Sequence, residues 1–442
     1  MKRSYNWIIV AAAVAALISL GGCRTKAATP PEPEPGAGPT EEAEPEAPEV
    51  PGVTDEKIVI GQWSPQTGPA ALWGSVARGT AAYFDMINEQ GGVHGRKLEL
   101  IIRDDGYNPT RTVAAAKEMA EQEEVFCFIG GVGTATGMAV KDYLAKKEIP
   151  WIGPASGSSN WSTPATRNLF SLYPKYETEA ALLTRYVVEE LKKEKVAFFY
   201  QNDDYGKEGL DGVKNQLAAM NMELAAEISV EVADTDLSSH VLKLKASKAD
   251  VVILWLMPKH AAITLGTAAK LGFKPQWVTG STLSDAPLMN KITEGLWEGV
   301  IFDTFVELPD SEHELIKKYR AAYEKHGLAR NDKEQWGIFF MAGFYFAEPV
   351  VAAMEAAGPE LTREKLVAEL EKLDAWDGGI GHAITFGPEE RQGQKSVFLA
   401  KCEGGKAVKI SDWLVLDGKK NAAEENAPAE GDTEKAAEEA KE

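Results

Sequence analysis

Only 3 cysteines and 6 histidines occur in the 442 residues, and 47 Lys and Arg are outnumbered by 67 Asp and Glu. Each shortage excludes something. A formal charge of −20 argues against nucleic acid and anionic membrane surfaces, both of which recruit basic patches. The histidines, His94, His240, His260, His313, His326 and His382, form no metal-spaced pair, so no metal ligand set is offered. No Gly-x-Ser-x-Gly elbow is present, and Asp104 with Asp105 has the look of a strand-end turn, so no catalytic residues are indicated. Beyond residue 20 no apolar run is read as a membrane span.

The charge is concentrated at the ends. Residues 24–52 carry seven Glu against Arg24 and Lys26, and residues 419–442 carry eight acids against four Lys. Between them the body is only mildly acidic. Lys2 and Arg3 precede an apolar run over 7–20, the pattern of a signal-peptide core, so 1–22 is read as a signal peptide. It ends in Leu20-Gly21-Gly22-Cys23, which resembles the bacterial lipobox. The resemblance implies that Cys23 becomes a lipidated N-terminus, anchoring an exported protein that faces the periplasm or the cell exterior. A plain secretory cleavage site with an incidental Cys is the alternative. Residues 23–52 then form the lipidated Cys and a Pro/Glu-rich tether, too polar to build a core, and 419–442 form an acidic disordered tail. Cys127 and Cys402 are read as buried thiols, with a disulfide open to an exported chain.

From Lys57 onward short β-rich runs alternate with amphipathic helices. Strands are predicted over 58–61, 98–103, 125–129 and 151–153, with helices over 75–89, 110–122 and 135–147 between them. A second series adds helix 176–193, strand 196–200, helix 207–220, strand 224–230, strand 251–256 and helix 260–271. Such alternation predicts mostly parallel sheets covered by helices, in two similar α/β units. Helices over 312–326, 336–357 and 362–373 are too many for the second unit alone.

The run over 87–109 is the most informative. Gly91 and Gly92 stop a helix, Gly95 supplies a turn, Leu98, Leu100 and Ile102 alternate as a strand, and Asn108-Pro109 caps the next helix. This order of glycines, Arg96, strand and paired Asp resembles the ABC-transporter solute-binding proteins typified by the periplasmic branched-chain amino-acid receptors. The resemblance covers about 57–417. It implies a type I periplasmic binding fold: two doubly wound, Rossmann-like lobes joined by a three-crossover hinge, with crossings near 171–174, 300–304 and 384–394. Lobe 1 would comprise 53–173 plus 304–385, and lobe 2 would comprise 174–303 plus 386–418. The hinge would let the lobes close over a ligand.

In open α/β sheets ligands gather beyond the carboxyl ends of the strands. There, 130–136 reads Gly-Gly-Val-Gly-Thr-Ala-Thr, small residues opening a helix whose amides, with Thr134 or Thr136, make an anion seat. Thr136 stands where a dinucleotide fingerprint needs its third glycine, so no nucleotide cofactor is indicated. The family aligns a carboxylate-binding hydroxyl with Thr134. It also aligns a main-chain carbonyl with Ala155 and a Thr with Gly157, which Ser156 or Ser158 would have to replace. Tyr205 matches a ligand-covering aromatic, Trp73 an aromatic wall, and Met257 a second aromatic position. Where amino-acid receptors place an acid to pair the ligand ammonium, this chain offers Ser281 or Thr282. Burying an unpaired ammonium is costly, so the ligand class stays open unless Asp285 or another carboxylate substitutes.

These readings imply a monomeric binding lipoprotein without cofactor or metal. It would capture a small polar organic ligand, an amino acid or a related amide or carboxylate, and deliver it to ABC permease subunits. A ligand-sensing lipoprotein and a catalytic lipoprotein are the alternatives.

Overall fold

A computed structural model describes residues 50–415. The signal segment, Cys23, the tether up to residue 49 and the acidic tail lie outside the described residues.

The body holds two sheets. The first is built from β1 (Lys57–Ser64), β2 (Lys97–Asp104), β3 (Cys127–Ile129), β4 (Trp151–Ile152) and β5 (Leu169–Phe170), in the order β2–β1–β3–β4–β5 with every pairing parallel. Its connecting helices are α1 (Ser75–Glu89), α2 (Pro109–Glu121) and α3 (Thr134–Lys146). The run that opens this lobe behaves as its residues require. Gly92 takes φ +69, and a Cβ there would lie 2.0 Å from the Arg96 carbonyl. Asn108 accepts from the Thr110 and Arg111 amides at 3.0 and 3.2 Å with Pro109 at the first helical position, so α2 starts where its cap dictates. Asp104 serves the turn, accepting from Gln66, Thr67 and Gly106 amides.

The chain then enters the second lobe through α4 (Tyr176–Glu189), β6 (Val196–Gln201), α5 (Asp204–Ala219), β7 (Ala226–Val230), α6 (Ser238–Ala246), β8 (Val251–Trp255), α7 (Pro258–Lys270), β9 (Gln276–Thr279), α8 (Ala286–Ile292) and β10 (Ile301–Thr304). Wholly buried β8 reads as a continuous apolar run and β6 nearly so, because both sheet faces are covered, while the equally buried β10 ends in Asp303 and Thr304. After β10 the chain leaves this sheet for α9 (Glu314–Ala322), the single turn α10 (Leu328–Arg330), α11 (Ile338–Ala357) and α12 (Arg363–Leu370). It returns with β11 (Ser396–Glu403), β12 (Lys406–Lys409) and β13 (Leu414–Val415). The second sheet runs β12–β11–β10–β9–β8–β6–β7, with β13 also on β11. Its late strands are antiparallel, a hairpin closing an otherwise parallel sheet.

Helix α11 has the length and composition of a membrane span, yet 89% of its most apolar window is buried inside the protein. It lies against α1 of the first lobe, where Gly79 and Gly343 let the backbones touch: a Cβ on Gly79 would meet the Phe340 carbonyl at 2.0 Å. The chain therefore passes between lobes three times. Two buried glutamines stitch the crossings together. Gln392 Nε2 donates to the Tyr173 carbonyl at 2.7 Å and to the Gln394 carbonyl at 2.8 Å, and Gln394 Nε2 donates to the Phe305 carbonyl at 3.2 Å. Ser171 bridges Gln392 directly. Cys127 and Cys402 are free and buried in different lobes, so no disulfide joins them.

Candidate functional site

A cavity lies between the lobes at the carboxyl ends of the strands. Its volume for water-sized occupants is about 50 Å³, several times the roughly 10–15 Å³ that one water needs. The lobes are closed over it.

The first lobe contributes the N-terminus of α3. Gly133 holds φ +105 before the helix, and no side chain caps it, so its first-turn N–H groups have no intrahelical partners. Gly133 and Thr134 both line the cavity, which gives its wall the positive end of a helix dipole. Thr134 Oγ1 lies 2.7 Å from Ser156 Oγ. Thr136 instead donates to the Val132 and Gly133 carbonyls and is absent from the wall. Ala155 lines the cavity, its carbonyl accepting from the Gly133 amide at 3.3 Å.

The second lobe supplies Tyr205, Ser281 and Thr282. Tyr205 opens α5, where Asp203 caps the helix by accepting from the Gly206 amide. Its phenol is 2.7 Å from Thr282 Oγ1, and its ring meets Trp73 edge-on at 6.4 Å. Trp73 crosses the cleft, donating from Nε1 to the Thr282 carbonyl at 3.0 Å. Ser281 Oγ donates to the Tyr173 hydroxyl at 2.8 Å. The sequence left Ser281 and Thr282 as alternatives; both are in the wall.

Thus Trp73, Thr134, Ala155, Tyr205 and Ser281 surround one space, whereas three other candidates do not. Ser156 is fully buried behind Thr134. Gly157 packs beneath the hinge, where a Cβ would sit 2.1 Å from the Pro174 carbonyl and 2.8 Å from the Tyr176 ring. Met257 is wholly buried at the start of α7. Asp285 is not in the wall either; it caps α8 and reaches across the cleft.

Sequence reasoning missed most of the aromatic lining. Tyr107, Tyr173, Tyr176, Phe305, Phe339 and Phe346 all face the cavity. Tyr107 follows β2 at a strand end and was open to the same search that found Thr134. Phe305, Phe339 and Phe346 carry no local signal, because α11 and the second crossing reach the cleft only after long excursions. Burial keeps the phenols of Tyr107, Tyr173 and Tyr205 well above their usual range, so they act as neutral hydrogen-bonding groups. No Asp, Glu, Lys, Arg or His stands among the lining residues.

Two acids of the second lobe hold the cleft shut. Glu208 on α5 accepts from the Ser158 hydroxyl and, at 3.1 Å, from the Ser159 amide. Burial pushes its carboxyl up to about 7, with Glu177 and Asp204 adding repulsion. Asp285, pushed by burial up to about 6, accepts from the Phe339 amide of α11.

The sequence matches, over residues 57–407, the family described as periplasmic binding protein. The Leu/Ile/Val-binding protein homolog 1 of Brucella abortus is 24% identical over 269 residues, 60% of this chain and 71% of that one. The Leu/Ile/Val-binding protein BraC3 of Rhizobium johnstonii is 25% identical over 355 residues, 79% and 93% of the two chains. Among solved structures, a branched-chain amino acid ABC transporter protein from Thermus thermophilus with bound valine superposes with a TM-score of 0.75 at 19% identity, covering 82% and 97%. A substrate-binding periplasmic protein from Ralstonia solanacearum gives 0.75 at 25% identity, covering 80% and 100%.

Proposed function

Since the chain belongs to the periplasmic binding protein family, whose members bind solutes outside the cytoplasm and are not enzymes, we propose that it is the ligand-capturing lipoprotein of an ABC importer. The ligand is a small organic carboxylate, an amino acid or a relative of one, held between the closing lobes. The observation that carries this reading is the interlobe cavity, with Thr134 and the uncapped α3 N-terminus at one end and aromatic rings around the rest. The helix end and Thr134 hydroxyl suit a carboxylate, and the rings suit an apolar body. Closure then gives a permease a liganded form to recognise. Cys23 anchors the protein, and the Pro/Glu-rich tether gives the lobes reach from the membrane at roughly 3.1 Å per residue.

A thermal-shift screen of residues 50–415 against amino acids, amides and short aliphatic or aromatic carboxylates tests the reading. A bound ligand at 100 times its Kd adds about 2.7 kcal/mol of stability. Absence of a shift with every carboxylate would sink it.

A further inference from the structure

Among the described residues no charged side chain lines the interlobe cavity, and hydroxyls of its wall are paired within the protein. Thr134 Oγ1 lies 2.7 Å from Ser156 Oγ, the Tyr205 phenol lies 2.7 Å from Thr282 Oγ1, and Ser281 Oγ donates to the Tyr173 hydroxyl at 2.8 Å. Main-chain oxygens beside them are engaged as well. The Thr282 carbonyl accepts from Trp73 Nε1 at 3.0 Å, and the Ala155 carbonyl accepts from the Gly133 amide at 3.3 Å. Val76, Phe305, Ile338, Phe339, Ala342 and Phe346 give the cavity a broad apolar face.

The carboxyls at the cleft are committed elsewhere. Asp285 accepts from the Phe339 amide at 3.1 Å with one oxygen and from the Leu288 amide at 3.2 Å with the other, and Glu208 accepts from the Ser158 hydroxyl and the Ser159 amide. Glu179 and Asp303 are fully buried outside the lining, where burial raises both toward the protonated form. A cation is also drawn to open ring faces. Tyr205 instead packs against other rings, stacking on Trp255 at 6.1 Å and meeting Tyr176 and Trp73 edge-on at 5.0 and 6.4 Å.

An ammonium group takes a full charge and three N–H donors out of water when it is buried. This wall returns oxygens already in use and no opposite charge. A carboxylate fares differently, because the uncapped α3 N-terminus beside Thr134 offers amides without intrahelical partners and the positive end of a helix dipole. We infer that the cavity selects an apolar monocarboxylate, an aliphatic or aromatic acid without an ammonium group, and rejects the amino acid built on the same skeleton. This rests on the carboxylate reading of the cavity and narrows it. Thr282 is the residue that keeps the wall neutral where the lobes meet, since its hydroxyl serves Tyr205 and its carbonyl serves Trp73.

Isothermal titration at pH 7 with two matched pairs tests this directly: 4-methylpentanoate against L-leucine, and 3-phenylpropanoate against L-phenylalanine. Each pair shares a skeleton and differs only in the ammonium. Whichever skeleton fits, the acid binds the native protein more tightly than its amino acid by about tenfold or more. An amino acid that binds as tightly as its matched acid, or more tightly, overturns the inference while leaving the carboxylate site standing. Binding of none of the four compounds overturns both. Thr282→Asp keeps an acceptor for the Tyr205 phenol and places a carboxylate in the wall, so the preference for the acid falls by about tenfold or reverses. An unchanged preference in that variant, with its melting transition intact, overturns the inference too. The comparison on the native protein needs no variant, so a variant that fails to fold does not rescue the idea.

Discussion

Asp285 of the second lobe accepts a hydrogen bond from the Phe339 amide of the first lobe at 3.1 Å, and its other oxygen caps α8 through the Leu288 amide at 3.2 Å. One carboxylate serves two helix starts on opposite sides of the cleft. Asp285→Ala should cost about 1–3 kcal/mol in urea unfolding and should enlarge the radius of gyration in X-ray scattering as the lobes part. Gly337→Ala should open the cleft too, since its Cβ would lie 2.3 Å from an Asp285 oxygen. Unchanged scattering from both variants would remove Asp285 as a latch.

Thr134→Ala removes the hydroxyl paired with Ser156 and costs about 1 kcal/mol of binding, roughly fivefold in Kd, for whichever carboxylate binds. Thr134→Ser, which keeps the hydroxyl, should restore most of it. Titration of the three proteins decides; identical Kd values would place Thr134 outside recognition.

Gln392 ties two crossings of the hinge from a site 4% exposed. Gln392→Ala leaves the Gln394 carbonyl without its side-chain donor and the Tyr173 carbonyl with only the Ser171 hydroxyl at 3.4 Å, and should destabilise by about 1–3 kcal/mol. A melting temperature equal to the native value would show that the glutamine is dispensable.

Gly157→Thr, the residue the family pattern would supply, should destabilise rather than improve the site, because the Pro174 carbonyl and the Tyr176 ring occupy the space. Overpacking of this kind costs about 1–3 kcal/mol. Equal stability together with tighter ligand binding would contradict the steric reading.

The pH dependence has a definite sign. Asp285, Glu208 and Glu348 are all raised, chiefly by burial, to about 6, 7 and 7. The folded protein therefore holds protons that the unfolded chain releases above its ordinary carboxylate range. Stability from these groups is full below that range and is lost as pH rises through about 6 to 7, at up to roughly 1.4 kcal/mol per pH unit for each proton. Buried His260, lowered by desolvation, opposes this on the acid side. The melting temperature should fall between pH 5.5 and 8, and Glu208→Gln should flatten the fall. A rise over that interval would refute the assignment.

Much of this protein is written in local order. Asn108 with Pro109, Gly92 before Arg96, and Asp203 before Tyr205 set helix starts and turns through contacts within a few residues, so short windows of sequence reveal them. The rule that ligands gather at strand ends carried the search to Trp73, Thr134, Ala155, Tyr205 and Ser281, and all five meet at one cavity. It also carried Met257, which the fold buries elsewhere, and Gly157, which packs under the hinge. What the sequence by itself determined is the alternation of strands and helices, hence two α/β lobes and the loops to inspect. Only the tertiary structure decided which side chains close the cavity. Phe305, Phe339 and Phe346 arrive on segments that leave one lobe and return to the other, and Glu179 meets Asp303 only because α4 packs beside β10. Such meetings depend on how distant segments pack, and no window of neighbouring residues contains that information.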